Sequence, residues 1–104
     1  QKQRAVVLVM QANPFGDGGR ISSYYTDVMA VIQRETQAYD GDVLFIHGDT
    51  HRYRVDQPLL DLKTRLPVRN FTRLEVHGYP FMNWVRVHVA TQGKRVTFAA
   101  SPGQ

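Results

Sequence analysis

Two short apolar runs, separated by one helix-length segment, constrain the fold of this chain most strongly. Ala5–Met10 (AVVLVM) and Val43–Ile46 (VLFI) are continuously apolar, which is typical of strands covered on both faces. Gln11–Arg20 contains one Pro and three Gly and is predicted to be a loop. Strand, helix and strand in this order predict two parallel strands joined by a right-handed crossover.

The segment between the two strands predicts an amphipathic helix over Ser23–Tyr39. Its large side chains recur every three or four residues, and Asp40-Gly41-Asp42 ends the pattern. The face expected to pack on the sheet consists of Tyr24, Val28, Val31, Ile32, Glu35 and Tyr39.

The second half of the chain has shorter, alternating apolar segments. Phe71–Val76 alternates weakly, and Trp84–Val89 alternates clearly with its valines on one face. Arg95–Ala99 predicts another strand, and Thr91–Lys94 predicts the hairpin turn before it. We therefore expect an α/β fold in which a parallel β-α-β unit is followed by antiparallel strands.

The positive charge is concentrated in one stretch, residues 52–73. The 104 residues carry 13 basic and 9 acidic side chains, hence a net charge of +4. This stretch alone has six basic and two acidic residues, so it accounts for the whole excess. It is interpreted either as a solvated loop or as a basic collar for an anionic substrate or nucleic acid. The length allows one small domain, and the absence of Cys excludes a disulfide scaffold.

Polar loops follow both predicted parallel strands. His47–Arg54 (HGDTHRYR) follows the second strand, and Gln11–Pro14 (QANP) follows the first. Because ligands collect beyond the carboxyl ends of parallel strands, both loops are expected on one functional edge. Imidazole and carboxylate ligands suit zinc, iron and manganese, although two His in a polar loop are also compatible with simple solvation.

In these two loops the sequence resembles the C-terminal half of the calcineurin-like metallophosphoesterases. Gly48-Asp49-Thr50-His51 is similar to the Gly-His-x-His motif of that family, with Asp in place of the first His, as in a bacterial subgroup. Gln11-Ala12-Asn13-Pro14 stands where the family has an earlier His-containing loop. The resemblance extends from Ala5 to about Phe98.

The resemblance implies an α/β sandwich with a two-metal centre (Mn, Fe or Zn) that hydrolyses phosphomonoesters or phosphodiesters through a metal-bound water. Three further ligand motifs of the family (Asp-x-His, Gly-Asp-x-x-Asp and Gly-Asn-His) are expected upstream. Gly-Asp-x-x-Asp and Gly-Asn-His do not occur in this sequence, and its one Asp-x-His triplet, Asp49-Thr50-His51, belongs to the loop already matched. Residues 1–104 are therefore expected to form one partial domain that lacks its N-terminal half. Alone it is expected to be inactive, without a catalytic proton donor, and to hold metal weakly or not at all.

The same resemblance assigns roles to individual residues. His51 is implied as the main metal ligand, with Asp49 and, more weakly, Gln11 at the second metal. Arg52 and Arg54 are implied to bind the oxyanion of a phosphorylated substrate. His47 and Asn13 are implied to support the ligands without binding metal, and no catalytic residue is assigned.

Two other functions stay open: a non-enzymatic module that binds polyanions through residues 52–73, and a structural relative whose metal site has decayed. No known nucleic-acid-binding motif is present, which disfavours nucleic acid as the partner. A partial domain is expected to pair with its missing half, or with a second copy through an exposed sheet or apolar face. No segment is long and apolar enough to span a membrane, and the sequence leaves the cellular compartment open.

Overall fold

The chain folds into a four-stranded sheet, one helix and a separate β-hairpin. The structure is a computed structural model and describes residues 5–15, 20–48, 50, 52–78, 84–93 and 95–103. Its elements, in chain order, are β1 (Ala5–Met10), a 3-10 turn (Ser23–Tyr25), α1 (Thr26–Ala38), β2 (Asp42–His47), β3 (Arg54–Asp56), β4 (Phe71–Glu75), β5 (Val85–Gln92) and β6 (Arg95–Pro102).

The main sheet has the strand order β1-β2-β4-β3. β1 runs parallel to β2, with Met10 beside His47, as the apolar runs predicted. β4 also runs parallel to β2, with Glu75 beside His47, and β3 pairs antiparallel with β4. The fold is thus mixed α/β with parallel and antiparallel strands. The expectation that the second half is wholly antiparallel is wrong for β4.

One face of this sheet, here called the helix face, holds the main core. Helix α1 packs on it through Met29, which is fully buried. Three phenylalanines pack there edge-to-face and stacked, with ring centroids 5.8–6.2 Å apart. The members of this core are Phe15, Met29, Val43, Phe45, Leu59, Val68 and Phe71.

The helix presents only part of the predicted face to the sheet: Ile32 and Tyr39 pack against the core as expected, but other positions differ. Gln33 and Thr36 are buried beside Met29, whereas Val28 and Val31 are about half exposed. The polar side chains are buried because the loop after β3 supplies partners: the Gln33 amide donates to the Leu60 carbonyl at 2.7 Å. The buried side of α1 is therefore rotated by one residue from the apolar stripe.

Asn70 joins the C-terminus of α1 to the start of β4. Its side-chain amide donates to the carbonyl oxygens of Thr36 at 2.9 Å and Gly41 at 2.8 Å, with a longer contact to Tyr39 at 3.3 Å. The last carbonyls of a helix have no partner within the helix. Asn70 therefore acts as a side-chain cap from a distant loop.

The hairpin β5–β6 packs toward the opposite face of the sheet, here called the hairpin face. The Val96 amide donates to the Asp42 carboxylate at 3.3 Å, and the Tyr53 hydroxyl donates to the Ala100 carbonyl at 3.2 Å. The turn contains Gly93 at φ 62°, a left-handed conformation that glycine adopts without steric cost. Cover on this face is partial, since Val9 of β1 is 76 % exposed. The expectation that β1 is covered on both faces is therefore wrong for the hairpin face.

Within the described residues, no helix combines the length and apolarity that a bilayer crossing requires.

Candidate functional site

The carboxyl ends of the parallel strands bring the two polar loops into contact. The Gly48 amide donates to the Gln11 carbonyl oxygen at 3.0 Å, directly beyond the paired residues Met10 and His47. On the other side of β2, the Val76 amide donates to the His47 carbonyl at 3.0 Å. The two loops predicted to share one edge of the sheet therefore do so, and they form a continuous rim over the ends of β1, β2 and β4.

The two residues expected to bind metal most directly, Asp49 and His51, lie outside the described residues. Gln11, the third expected ligand, has an exposed side chain, and its main-chain carbonyl contacts Gly48. Among the residues described, no group of three or more His, Cys, Asp or Glu side chains is placed to hold a metal ion. The described donors thus do not form a metal centre by themselves.

Asn13 shapes the loop after β1. Its Oδ1 atom accepts a hydrogen bond from the Phe15 amide at 2.9 Å, which closes a local turn of the kind that Asn favours. Pro14 and Phe15 are buried directly afterwards. The Asn13 side chain therefore fixes the backbone conformation at the end of the Gln11–Pro14 loop.

His47 is buried at the end of β2, and both of its ring nitrogens have partners. Nδ1 lies 2.8 Å from the Gly48 carbonyl, and Nε2 lies 3.2 Å from Nη1 of Arg73. A carbonyl only accepts and a guanidinium only donates, so Nδ1 carries the proton and Nε2 accepts. Burial lowers the pKa of His47; the bond to Gly48 opposes this, and the Arg73 cation lowers the pKa further. The ring is neutral and fastens the Gly48 turn.

Arg73 is a buried cation on β4, one of the two central strands, and its side chain lies on the helix face. Only 2 % of its surface is exposed. It forms a two-pronged ion pair with Asp56 of β3, Nε to Oδ1 at 2.7 Å and Nη2 to Oδ2 at 2.8 Å. Its guanidinium also lies 5.0 Å from the centre of the Phe15 ring. Such a fork fixes both orientation and register, so Arg73 ties β3 to β4 beneath the rim.

Glu75 ends β4 and is fully buried. Its Oε1 atom accepts from Nε of Arg54 at 2.8 Å and from Nε of Arg52 at 3.4 Å. Its Oε2 atom is buried without a hydrogen-bond partner in the described part of the chain. One carboxylate therefore anchors two guanidinium groups, of which Arg52 has 61 % of its side chain exposed and Arg54 has 35 %.

These side chains form one polar cluster: His47, Arg52, Arg54, Asp56, Arg73 and Glu75. With His47 neutral, three cations face two anions, which leaves the cluster a net charge of +1. The surplus is located at the rim, because Arg73 lies inside and Arg52 is at the surface. Such a site favours an anion over a cation at the position of the two exposed guanidinium groups.

The stretch 52–73 is therefore not one exposed basic surface. Arg73 is in the core and Arg54 is partly buried against Glu75, while the exposed cations Lys63, Arg65 and Arg69 lie on or beside the loop between β3 and β4. A polyanion site spread along the whole stretch gains no support from this arrangement.

Sequence reasoning missed Asp56, Arg73 and Glu75 as members of the site. One signal was available: Phe71, Arg73 and Glu75 alternate along β4 and so share the helix face with an apolar residue. Charges in such positions require partners.

Comparisons of the chain with protein-family models, with curated proteins and with solved structures found no match in any of the three.

Proposed function

We propose that this chain provides part of a metal-dependent phosphoester hydrolase site, as the C-terminal portion of a calcineurin-like metallophosphoesterase domain. The observation that carries the proposal is the hydrogen bond from the Gly48 amide to the Gln11 carbonyl at 3.0 Å. It joins the two loops that the resemblance assigns to metal binding, at the edge of an α/β sheet where ligands bind.

In this proposal His51 and Asp49 bind the cation, with Gln11 as a weaker third ligand. The remaining ligands come from a further polypeptide segment, because Gly-Asp-x-x-Asp and Gly-Asn-His do not occur in this sequence and its one Asp-x-His triplet already belongs to the His51 loop. A bound Mn, Fe or Zn ion would supply an activated water and neutralise charge on the phosphoryl group. The rigid His47–Gly48 anchor and the Asn13 turn would hold the two loops in register.

Arg52 and Arg54 bind the substrate oxyanion. Each donates its Nε–H group to Glu75, and this hydrogen bond orients the guanidinium before substrate binds. The +1 surplus of the polar cluster then attracts a phosphate monoester or diester, and the remaining N–H groups donate to its oxygens.

The test is a titration of the isotope-labelled chain with Mn²⁺, followed by NMR. Because Mn²⁺ is paramagnetic, even a weak site broadens the amide signals beside it. We expect the Gly48 and Gln11 signals to broaden first and His51→Ala to abolish the effect. His88→Ala is the matched control, since His88 is an exposed histidine on β5, within the hairpin.

Broadening that persists in His51→Ala, or that centres away from Gly48, contradicts the ligand assignment. The chain alone is expected not to hydrolyse p-nitrophenyl phosphate in the presence of Mn²⁺ or Zn²⁺. Turnover that survives His51→Ala would place the chemistry elsewhere in the molecule.

A further inference from the structure

β1 forms an unprotected edge of the main sheet. It pairs with β2 on one side, and no strand among the described residues pairs with its other side. Its six residues include no charge, no Pro and no Gly. The opposite edge strand, β3, has three residues of which two are charged. Short, charged edges resist pairing with other chains, whereas a long apolar edge invites it.

Apolar side chains also lie on both flanks of this edge. On the hairpin face, Val7 is 48 % and Val9 is 76 % exposed. On the helix face, three of the residues predicted to face the core, Tyr24, Val28 and Val31, are exposed. Val31 lines a cleft of ≈ 300 Å³ between α1 and the β1 residues Val6 and Leu8. Edge and flanks together make one apolar surface, here called the β1 surface.

We propose that the β1 surface binds a second copy of this chain, with β1 pairing antiparallel to β1 of the partner subunit about a two-fold axis. The charge distribution favours a second copy. β1 itself carries no charge, and the basic residues of 52–73 belong to β3, to β4 and to the segments that adjoin these two strands. Two β1 edges can therefore approach without the repulsion that a basic protein otherwise experiences.

The strand is also self-complementary. An axis perpendicular to the sheet keeps each face on its own side and can place Val7 opposite Val9 of the partner subunit. The same register places Leu8 opposite Leu8 of the partner subunit and Val6 opposite Met10 of the partner subunit. Each of these three kinds of pair is apolar, and the two exposed valines cover each other.

The size of the surface agrees with a reversible dimer rather than a permanent one. A six-residue strand is about 20 Å long, and the shortest dimension of the molecule is 23 Å. Their product is roughly 500 Å² per copy, or about 1,000 Å² in total, at the lower limit of specific interfaces. We therefore expect a reversible dimer with a micromolar-range dissociation constant. This inference is independent of the proposed hydrolase site.

Sedimentation velocity over a concentration series tests the proposal with a matched pair of variants. Val7→Lys places a charge on the β1 surface, and Val55→Lys places the same charge on β3, where the valine is 47 % exposed. Both positions lie on the hairpin face of edge strands in the same sheet. We expect Val7→Lys to weaken association at least tenfold and Val55→Lys to leave it unchanged.

Cross-linking provides a second readout that does not depend on the lysine variant folding. The chain has no cysteine, so single-cysteine variants report one position each. An oxidised mixture of Val7→Cys and Val9→Cys should form the mixed dimer faster than either variant alone forms its own.

A wild-type chain that stays monomeric at millimolar concentration overturns the proposal, and leaves the β1 surface to a different polypeptide. Equal weakening by Val7→Lys and Val55→Lys, or no preference for the mixed disulfide, also overturns it.

Discussion

Removing the carboxylate of Asp56 is expected to destabilise the fold more than removing the guanidinium of Arg73. In Asp56→Ala, a cation that is 98 % buried loses the acceptors of both Nε and Nη2. An ion left unpaired in the interior costs about 3–5 kcal/mol. The nearest remaining partner is the neutral His47 ring, which cannot compensate the charge.

In Arg73→Met, the Asp56 carboxylate keeps its ion pair with Arg54, whose Nε atom lies 3.7 Å from Oδ2, and it keeps access to water, since 34 % of its side chain is exposed. The remaining loss is the donor to Nε2 of His47, and an unsatisfied buried acceptor costs about 1–3 kcal/mol. Methionine fills much of the vacated volume. The double variant Asp56→Ala/Arg73→Met removes both charges of this pair, so it leaves no unpaired cation in the interior and should be no less stable than Asp56→Ala alone. The coupling energy between the two sites is thus expected to be about 2 kcal/mol or more.

Urea unfolding followed by circular dichroism measures these differences as shifts of the transition midpoint. With a denaturant slope of about 1 kcal/mol per molar urea for a small domain, the cost of about 3–5 kcal/mol should move the midpoint of Asp56→Ala roughly 3–5 M below that of wild type. Glu35→Ala is the control: its ion pair with Arg34 is exposed on both sides and is expected to change stability by less than about 0.5 kcal/mol. Additive costs in the double variant, or a larger cost for Arg73→Met than for Asp56→Ala, would refute the buried fork.

Two other predictions follow from the same structure. The lowered pKa of His47 means that the unfolded chain takes up a proton near pH 6.5 while the folded chain does not, so stability should fall as pH decreases below 6.5. Urea midpoints between pH 5 and 8 measure this dependence, which should weaken in His47→Gln and persist in His88→Gln. Asn70→Asp replaces the amide donor by a carboxylate that faces the carbonyls of Thr36 and Gly41, and should cost about 1–3 kcal/mol. Urea unfolding checks this cost, and an unchanged midpoint would contradict the capping role.

The elements with a local sequence signal were predictable. β1 was expected at the bounds that the structure shows, and β2 extends one residue beyond the expected strand at each end. The hairpin strands were located because their valines alternate and a glycine turn separates them. In each case the pattern depends on neighbours in the sequence, and such neighbours determine a strand or a turn without help from the rest of the chain.

The candidate site was predictable only where backbone topology determines it. Parallel pairing alone requires the loops after β1 and β2 to meet, and Gly48 does contact Gln11. Backbone topology does not predict the polar cluster in this way, because its side-chain hydrogen bonds join residues that lie 17 to 26 positions apart in the sequence. No motif of short spacing describes it, and each member alone has the character of a surface charge.

The two main differences between expectation and structure, the pairing of β4 and the side of α1 that is buried, have one physical cause. In both places a polar side chain occupies a core position because a distant segment supplies its partner. Arg73 is neutralised by Asp56, and the Gln33 amide is satisfied by the Leu60 carbonyl. A hydropathy pattern assigns polar residues to water, since an unpaired polar group is expensive to bury. Once Arg73 with Asp56, and Glu75 with Arg54, are each counted as a neutral pair, Phe71–Glu75 satisfies the requirement for a strand buried on both faces. Such a strand belongs in the middle of a parallel sheet, which is where β4 lies.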